Sequence, residues 1–435
     1  MSSKYDVIII GAGIIGCTIA FELAKQGKKT LTIDKLPAAG NGSTANSCAV
    51  VRMHYSTLDG TAVAAESFPH WKDWEKYLGA KDPQGTAEFR KLGIMLFKSE
   101  RNKNLSKVKA NFDALGIDYE DLDKDMIKAK YPSLSVQSFT PPQTPDEEDF
   151  GTPNGDPIKG AITYSEGGYI TDPILSVHNV QVAAENHGAE FIYKAKVSGI
   201  NKSQGRVQGV ELEDGSIIEA SVVVNAAGPH SFVINRLAGV EEEMNIKTKA
   251  LRHEVVQLAP PEGFKDEMAG MTFSDNDIAA YWRPEVGGNI LTGSQDPACD
   301  PQEWIEDPDE FNRNLTDQAK AQACRLALRI PELSIPNQLQ GVVDLYDVAD
   351  DWIPIYDKSA LPGFYMAVGT SGNQYKTAPV VGKMMAELIT QCEKGQDHDQ
   401  DPVIYHLERM DHDINMKFFS RLREINRESS FSVTG

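Results

Sequence analysis

The feature that most constrains this chain is a glycine-rich turn, GAGIIG, at residues 11–16. An apolar, β-branched run at 5–10 comes before the turn, and residues 14–25 carry apolar side chains at helical spacing. A second strand at 29–33 then ends at Asp34. A strand, a tight turn, a helix and a second strand in this order predict a parallel sheet with a helical crossover. In that context the GxGxxG pattern indicates a dinucleotide-binding unit.

Each glycine of the turn has a physical task in such a unit. Gly11 permits the tight turn, Gly13 lets the backbone approach a pyrophosphate, and Gly16 lets the helix pack closely against the strand. The free N–H groups at the start of the helix then face the phosphates, and Asp34 accepts hydrogen bonds from a ribose without a 2′-phosphate. We therefore predict that the dinucleotide contacts Gly11, Gly13, Ile14, Ile15, Gly16, Asp34 and Lys35. The turn alone does not distinguish a flavin from a nicotinamide dinucleotide, and a glycine-rich turn without a ligand is the simpler alternative.

Composition narrows the classes of protein that fit. A chain of 435 residues has room for two or three domains, and 41% hydrophobic with 24% charged residues is typical of globular proteins. The formal net charge of −20 disfavours nucleic acid and an anionic membrane surface as partners. The sequence has no apolar run that could span a bilayer and no signal-peptide pattern. Five cysteines without CxxC spacing argue against a disulfide framework or a zinc site, so we expect a cytoplasmic protein.

Several local patterns predict elements outside the first unit. Residues 60–78 are expected to be helical, and 167–187 to form a turn that leads into a helix. Residues 139–157 are rich in proline, acid and glycine, so we expect an exposed loop, with the four carboxylates of 146–149 in solvent rather than on a metal. Asp-His-Asp at 397–399 is likewise expected to lie in a solvated loop. No metal site is predicted.

Four segments carry a resemblance to a known family. They are GNGSTANSCAVVR at 40–52, GGYITDP at 167–173, VVVNAAGP at 222–229 and GTSGNQYKTAP at 369–379. In this order they resemble the GxGST, GGYxDP, VVNAAGxW and GxSGHGFKxAP segments of the D-amino-acid oxidase superfamily of FAD proteins, within which the sarcosine oxidase, glycine oxidase and dimethylglycine dehydrogenase branch is most similar. The chain departs from the pattern at His230, where an aromatic residue is usual, and at 373–374, where Asn-Gln replaces His-Gly.

The resemblance implies an α/β fold and FAD as the cofactor. In this fold a Rossmann-like FAD-binding domain of the glutathione-reductase type is joined to an α+β substrate domain built on a mixed or antiparallel sheet. The ranges we assign are 1–90, 160–240 and 340–395 to the FAD-binding domain, 91–159 and 241–339 to the substrate domain, and 396–435 to a C-terminal tail packing on the FAD-binding domain. The further FAD contacts implied are Gly42, Ser43, Thr44, Ser47, Val197, Ala227, Gly228, Gly369, Ser371, Gly372, Asn373, Gln374, Tyr375 and Lys376.

The resemblance also implies a substrate-binding pair of cations. Arg52 falls on the arginine, and Lys376 on the lysine, that hold the carboxylate of an amino acid over the flavin in sarcosine oxidase. A surface salt bridge is the alternative for Arg52, and a reshaped loop is the alternative for Lys376. The candidates for contact with the amine or the flavin ring are His54, Tyr55, His253 and Tyr281, although each of these also fits a structural role.

The implied reaction is oxidation of a C–N bond in a small amino acid or an N-substituted amino acid, by hydride transfer to flavin and hydrolysis of the imine. Residues 288–293 lack the lysine implicated in oxygen activation in monomeric sarcosine oxidase, which favours a dehydrogenase that uses another acceptor. The covalent flavin tethers of the branch fall near Asp344 and Asn46, which are not cysteine and histidine, so we predict non-covalent FAD; Cys48 is the one nearby thiol and fits a buried small hydrophobe.

Two other functions stay open on the same residues. One is oxidation of a 2-hydroxy acid, because 2-hydroxyglutarate oxidoreductases share this scaffold. The other is a flavin-binding subunit of a larger dehydrogenase complex that passes electrons to partner proteins. The expected partners are therefore a small substrate with a carboxylate and either oxygen or an electron-transfer protein, and both homo- and hetero-oligomers remain open.

Overall fold

The computed structural model of the chain describes residues 5–262, 264 and 271–434. The strands within these residues are, in chain order, β1 (Tyr5–Ile10), β2 (Thr30–Ile33), β3 (Val50–Val51), β4 (Phe89–Phe97), β5 (Glu120–Leu122), β6 (Ala161–Ile170), β7 (Glu190–Ile192), β8 (Val197–Ser203), β9 (Arg206–Leu212), β10 (Ile217–Asn225), β11 (Thr248–Leu258), β12 (Met271–Asp275), β13 (Ala280–Pro284), β14 (Ile290–Ser294), β15 (Trp304–Ile305), β16 (Gln340–Ala349), β17 (Ile355–Lys358), β18 (Phe364–Val368), β19 (Ile404–Leu407) and β20 (His412–Asn415). The α-helices there are α1 (Ile14–Lys25), α2 (Leu58–Lys72), α3 (Trp74–Leu78), α4 (Ser106–Leu115), α5 (Lys124–Lys130), α6 (Pro173–Asn186), α7 (Ser231–Ala238), α8 (Asp317–Arg329) and α9 (Ala378–Glu393).

The first sheet holds the glycine turn and has a parallel centre. Its order is β17-β18-β10-β1-β2-β7, with β8 and β9 attached through β10. All neighbours from β18 to β7 run parallel, as a sheet with helical crossovers requires. Helix α1 is buried along almost its whole length because α6 and α9 pack against it. The approach of α9 needs Gly382, since a Cβ there would lie 2.7 Å from the Thr18 carbonyl oxygen.

The second sheet lies over the carboxyl ends of the first sheet's strands and is mostly antiparallel. Its order is β15-β11-β14-β13-β12-β4-β6-β3, with β16 beside β11 and β5 beside β6. The pair β4–β12 is parallel, so the sheet is mixed. One face is covered by α8, whose Leu326 lies in a fully apolar cluster with Trp282 and Phe273. A Rossmann-like sheet joined to a mixed sheet is the α/β fold class that the sequence predicts.

Most of the sequence-predicted elements are confirmed, but the turn expected at Gly167 and Gly168 is wrong. β1 and α1 have the predicted ends, and the helix expected at 60–78 is present as α2 and α3, separated at Asp73. Gly167 and Gly168, however, lie inside β6 rather than in a turn. Their role is close strand approach, because a Cβ on Gly168 would lie 1.9 Å from the Arg90 carbonyl oxygen.

No finding tests the predicted domain ranges, but the sheets divide differently at three strands. The short strand β3 lies in the range 1–90 assigned to the FAD-binding domain and pairs with β6 of the second sheet. β6 and β16 fall in ranges assigned to the FAD-binding domain, and both pair within the second sheet. The reason is that each is a long antiparallel partner of a neighbouring strand, β4 for β6 and β11 for β16. The chain therefore crosses between the two sheets within these ranges.

Residues 396–434 run back across the first sheet's side of the molecule. The hairpin β19–β20 packs near α2, and Phe419 contacts the ring of Tyr356. The loop expected at 397–399 is present and Asp397 is exposed, but His398 is buried and accepts a hydrogen bond from the Val403 N–H at 3.0 Å. Asp399 pairs with Arg421, and these charges hold the pKa of Asp399 at about 2 although burial opposes the shift. In the described parts of the chain, no helix combines the length and the apolar character needed to cross a bilayer.

Candidate active site

A cavity of about 460 Å³ lies between the two sheets, a volume within the range of cofactor and ligand sites. Its floor is the glycine turn and the carboxyl ends of β1, β2 and β10, where parallel α/β sheets bind ligands. Its roof is the inner face of the second sheet, including residues of β11, β12 and β13. The loop 370–376 and residues 433–434 close one end, and residues 308–313 lie at the other.

The glycine turn has the geometry of a phosphate cradle. Gly11 has φ +109°, and a Cβ there would lie 2.3 Å from the Ala226 carbonyl oxygen, so only glycine fits. A Cβ on Gly16 would lie 1.9 Å from the Gly11 carbonyl oxygen. Gly13 is the N-cap of α1 and supplies no side-chain cap, which leaves the helix terminus open to an anion.

Asp34 stands at the end of β2, beside this turn. Its Oδ2 accepts a hydrogen bond from the Ala12 N–H at 2.7 Å, and its Oδ1 accepts one from the Leu36 N–H at 2.8 Å. A carboxylate has further lone pairs, so both bonds leave capacity for a ribose hydroxyl. The neighbouring Lys35 is bonded to Asp309 and lies 2.7 Å from the His230 Nε2.

Asp347 organises the other loop that faces the cavity. Its carboxylate accepts hydrogen bonds from the Ser231 hydroxyl at 2.7 Å and from the Gly369 N–H at 2.6 Å. Its carbonyl oxygen accepts the Ser371 N–H at 2.6 Å. Burial raises the pKa of Asp347 to about 7, although these hydrogen bonds act in the opposite direction. No sequence pattern pointed to this residue, since it is one acid among four in a β-strand and its following turn.

Two cations meet at the end of the cavity near the loop 370–376. Arg52 follows β3, and its guanidinium lies 4.7 Å from the ring centroid of Tyr55. The Lys376 Nζ lies 5.2 Å from the same centroid and donates to the Tyr55 hydroxyl at 3.1 Å and to the Asn373 carbonyl at 2.5 Å. Both side chains line the cavity and are buried, with 9% and 4% of their surface exposed. Burial lowers the pKa of Lys376, and the charge of Arg52 lowers it further.

His54 lies beside these cations. Its Nδ1 is 2.7 Å from the Tyr164 hydroxyl, whereas its Nε2 is buried without a hydrogen-bond partner among the described residues. Burial lowers the pKa of His54, and the charges of Arg52 and Lys376 lower it further. The ring is therefore neutral at physiological pH.

The roof of the cavity carries the two other catalytic candidates. His253 on β11 stacks on Tyr346 with the ring centroids 4.0 Å apart, and its Nε2 lies 3.3 Å from the carboxylate of Asp296. Tyr281 on β13 lies 3.5 Å from the Cys48 sulfur, and burial raises the pKa of both Tyr281 and Cys48. Tyr346 and Asp296 carried no signal in the sequence, since strand pairing alone brings them here.

The structure brings together nearly all of the predicted site residues. Three predicted FAD contacts do not line the cavity: Gly16, Gly369 and Ser371. Gly16 serves helix packing. The Ser371 hydroxyl donates to the Gly369 carbonyl at 3.1 Å and accepts the Ala349 N–H at 3.2 Å, so it is bonded to the backbone of its own loop and of β16. The Tyr55 ring lies behind the cations rather than on the cavity wall. The predicted site residues that do line it are Gly11, Gly13, Ile14, Ile15, Asp34, Lys35, Gly42, Ser43, Thr44, Ser47, Arg52, His54, Val197, Ala227, Gly228, His253, Tyr281, Gly372, Asn373, Gln374, Tyr375 and Lys376.

Comparison with known proteins agrees with this geometry. Residues 6–388 match the family described as FAD dependent oxidoreductase (DAO). The chain belongs to the DAO family. It is therefore an FAD-dependent oxidoreductase with FAD as its cofactor, as the sequence predicts.

The similarity of this DAO-family chain to its relatives extends over most of its length. Sarcosine oxidase subunit beta of Rhizobium meliloti (strain 1021) is 24% identical over 393 residues, which cover 88% of this chain and 84% of that protein. Among solved structures, L-proline dehydrogenase from P. horikoshii has a TM-score of 0.72 at 22% identity, with 90% of this chain and 95% of that chain covered. L-alpha-glycerophosphate oxidase from Mycoplasma pneumoniae with FAD bound has a TM-score of 0.71 at 17% identity, with coverage of 90% and 95%.

The residues of this DAO-family chain fit FAD. The N-terminus of α1 and the cradle at Gly11 suit its diphosphate. The Asn373 Nδ2, which has no hydrogen-bond partner among the described residues, suits a carbonyl oxygen of its ring. Asn46 and Asp344, at the positions of the family's covalent tethers, bond to each other at 2.7 Å and both line the cavity. Neither side chain forms a covalent flavin bond of the family's cysteine or histidine type, so non-covalent FAD stays our prediction.

Proposed function

We propose that this enzyme oxidises the C–N bond of a small amino acid or N-substituted amino acid whose carboxylate is bound by Arg52 and Lys376. The observation that carries the proposal is the absence of a protein counter-charge. Neither cation forms an ion pair with any residue in the ranges 5–262, 264 and 271–434, although both are buried beside one cavity. Buried charges are normally paired, so two unpaired cations at one site call for an anionic ligand.

A carboxylate fits this pair of cations better than a bulkier anion. The rigid fork of an arginine matches the planar carboxylate, and the lysine ammonium adds a second, compact charge. The carbonyls that already contact the two side chains, those of His54, Val433 and Asn373, are neutral and leave the positive charge uncompensated. A bound carboxylate also raises the lowered pKa of Lys376 again, which links substrate binding to a charged ammonium.

The neutral His54 suits the amine end of such a substrate. When bound, FAD supplies the two-electron acceptor that takes a hydride from the carbon beside the nitrogen, leaving an imine that water hydrolyses. The amine has to be neutral for this reaction, and a third positive charge beside Arg52 and Lys376 is disfavoured, so the site favours loss of the ammonium proton. His253 and Tyr281 on the roof then form the wall of the substrate site on the side of the second sheet.

The names of the relatives support the same substrate class. The Rhizobium meliloti protein is named for sarcosine and the P. horikoshii protein for L-proline, and both names refer to amino acids. The 2-hydroxy-acid alternative is supported by the glycerophosphate oxidase, whose named substrate carries a hydroxyl in place of an amine. A carboxylate site made of Arg52 and Lys376 accepts either class, so the identity of the oxidised bond needs a direct test.

Two further points belong to the proposal. β14, at the position where oxygen-activating lysine is found in monomeric sarcosine oxidase, reads Ile-Leu-Thr-Gly-Ser and pairs with Tyr281 of the roof without supplying a cation. We therefore favour a dehydrogenase with an acceptor other than oxygen. The relative from Rhizobium meliloti is named a subunit, which supports the alternative of a flavin-binding subunit in a larger complex.

The test is anaerobic reduction of the FAD-loaded protein by a panel of N-methyl amino acids, cyclic amino acids, simple amino acids and 2-hydroxy acids. Bleaching of the flavin absorbance identifies the substrate, and readmitting air separates oxidase from dehydrogenase. With the best substrate, Lys376→Met is expected to raise KM by about 10- to 100-fold, as loss of a hydrogen bond to a charged group predicts. Lys383→Met is the matched control, because Lys383 contacts His70 outside the cavity.

Three results would contradict the proposal. The first is bleaching by 2-hydroxy acids alone, which would assign the alternative oxidised bond. The second is an unchanged KM in both Lys376→Met and Arg52→Ala, which would remove the carboxylate site. The third is reduction only in the presence of a second protein, which would assign the role of a subunit.

A further inference from the structure

A segment near residue 430 takes part in the site, although it is far from Arg52 in sequence. Segment 426–434 runs from a contact with Asp351 to the end of the cavity, where Val433 and Thr434 line the wall. The Arg52 Nη2 donates a hydrogen bond to the Val433 carbonyl. The Ser56 N–H donates to the Thr434 carbonyl at 3.0 Å. Segment 426–434 therefore bonds to the chain on both sides of His54 and Tyr55.

Three anchors hold segment 426–434 in this position. At its start, the Asn426 N–H donates to the buried Asp351 carboxylate at 3.2 Å, which also binds Arg423 at 2.7 Å. In its middle, the Lys107 Nζ contacts the Glu428 carboxylate at 2.6 Å and the Glu428 carbonyl at 3.0 Å. Near its end, Val433 packs against an apolar cluster that consists of Leu251, Val348 and Trp352.

The contacts to Arg52 orient its guanidinium without neutralising it. One terminal nitrogen donates to the His54 carbonyl, the other to the Val433 carbonyl, and the plane lies over the Tyr55 ring. A guanidinium has five N–H donors, so these two bonds leave three for a ligand. Because both acceptors are uncharged, the full positive charge stays available to an anion. Because two hydrogen bonds and the ring contact already hold the Arg52 guanidinium, it loses little conformational entropy when it binds a ligand.

We propose that segment 426–434 is a positioning element and a wall of the carboxylate site, with the Val433 carbonyl fixing the plane of Arg52. The inference rests on the proposed function, since it assumes that Arg52 binds a carboxylate. It adds a determinant of affinity that lies outside the range matched by the family, residues 6–388. It also predicts that Arg52 and the segment act on ligand binding through one another.

The test measures binding of acetate, the simplest carboxylate, to the FAD-loaded protein through the change in flavin absorbance. Four proteins are compared: the full chain, a chain shortened after Ser429, Arg52→Ala in the full chain, and Arg52→Ala in the shortened chain. We expect shortening to weaken acetate binding about tenfold when Arg52 is present and to have no further effect when Arg52 is alanine. That coupling separates a positioning role from a merely structural one, whose effects would add.

A milder pair of variants covers the case in which the shortened chain fails to fold. Lys107→Met removes the central anchor of segment 426–434, and we expect acetate binding about threefold weaker. Lys109→Met, on the same helix, is the matched control, because Lys109 pairs with Asp121 and not with the segment. In the Lys107→Met protein, faster amide hydrogen exchange at residues 430–434 than in the control reports release of the segment.

The outcomes distinguish the inference from the proposed function. If Arg52→Ala weakens acetate binding but neither shortening nor Lys107→Met does, segment 426–434 has no part in the site and the inference is wrong. If shortening weakens binding equally with and without Arg52, the segment does not act through Arg52, and the inference is again wrong. If acetate binds the full chain and Arg52→Ala equally, both the inference and the carboxylate site of the proposed function are wrong.

Discussion

Asp347 gives the most quantitative prediction, because its buried carboxyl connects the two loops that enclose the flavin site. The pKa of this group is raised to about 7 in the folded protein and lies near 3.8 when the chain is unfolded. The native state therefore binds more protons than the unfolded state between these pH values. It follows that this group's contribution to stability is favourable at low pH and is lost as the pH rises through about 7.

The size of the effect follows from the pKa. Between the unfolded and the folded pKa, each pH unit lowers the free energy of unfolding by up to about 1.4 kcal/mol. From pH 5 to pH 8 the first two pH units lie below the folded pKa, so the free energy of unfolding falls by about 3 kcal/mol. Asp347→Asn removes the titration and imitates the protonated acid, since the amide oxygen can accept the Gly369 N–H and the amide NH₂ can donate to the Ser231 hydroxyl. The variant should therefore gain stability over the parent protein as the pH rises.

The assay is thermal unfolding of both proteins by calorimetry at pH 5, 6, 7 and 8, with FAD at the same excess. For a chain of this length the unfolding entropy is about 0.9 kcal/mol per degree, so the Tm of Asp347→Asn relative to the parent should rise by about 3 °C from pH 5 to pH 8. Asp350→Asn, three residues after Asp347 and exposed, is the control and should show no such trend. Parallel curves for Asp347→Asn and the parent would refute the reasoning.

Two other predictions concern retention of FAD. Gly11→Ala should purify with little flavin, because its Cβ would lie 2.3 Å from the Ala226 carbonyl oxygen at φ +109°. Gly27→Ala is the control and should keep its flavin absorbance, since Gly27 has a positive φ but no atom within 4 Å of its Cβ. Full FAD content in Gly11→Ala would exclude the cradle. Asp309→Asn should release FAD up to about fivefold faster, because the exposed ion pair with Lys35 across the cavity is worth about 1 kcal/mol at most. The release rate follows from the rise in flavin fluorescence on dilution, and an unchanged rate would mean that the ion pair does not restrain the cavity.

The local parts of the fold could be predicted because the signals are local. The apolar run at 5–10 set the ends of β1, and the helical spacing of apolar residues at 14–25 set the ends of α1. The spacing of Asp34 from the turn identified the edge of the cradle. Gly168 was misread because a glycine in a turn and a glycine under a crossing strand look alike without the partner strand. His398 was misread in the same way, since its acidic neighbours are solvated only if no arginine lies opposite them.

In the candidate site, too, residues in local motifs could be predicted and contacts between distant residues could not. Arg52 and Lys376 were found through motifs, but their lack of an acidic partner is a property of the folded chain alone. Asp347 sits in an ordinary strand, and its importance comes from Ser231 and Gly369, which pairing of distant strands brings to it. The contact of Val433 with Arg52 joins residues that no periodicity relates, so sequence reasoning had no means to find it.

The pairing of β1 with β10 has a consequence for biosynthesis. On one side Val7 pairs with Thr30, which follows after a single helical crossover. On its other side Val7 pairs with Val222, which is translated much later. At roughly 5–20 residues per second, the ribosome takes roughly 10–40 s to supply the missing neighbour. During that interval one edge of an apolar strand is open to other chains, and the nucleotide cradle lacks the wall at Ala226. The cradle can therefore hold its flavin only after β10 and Ala226 have been translated.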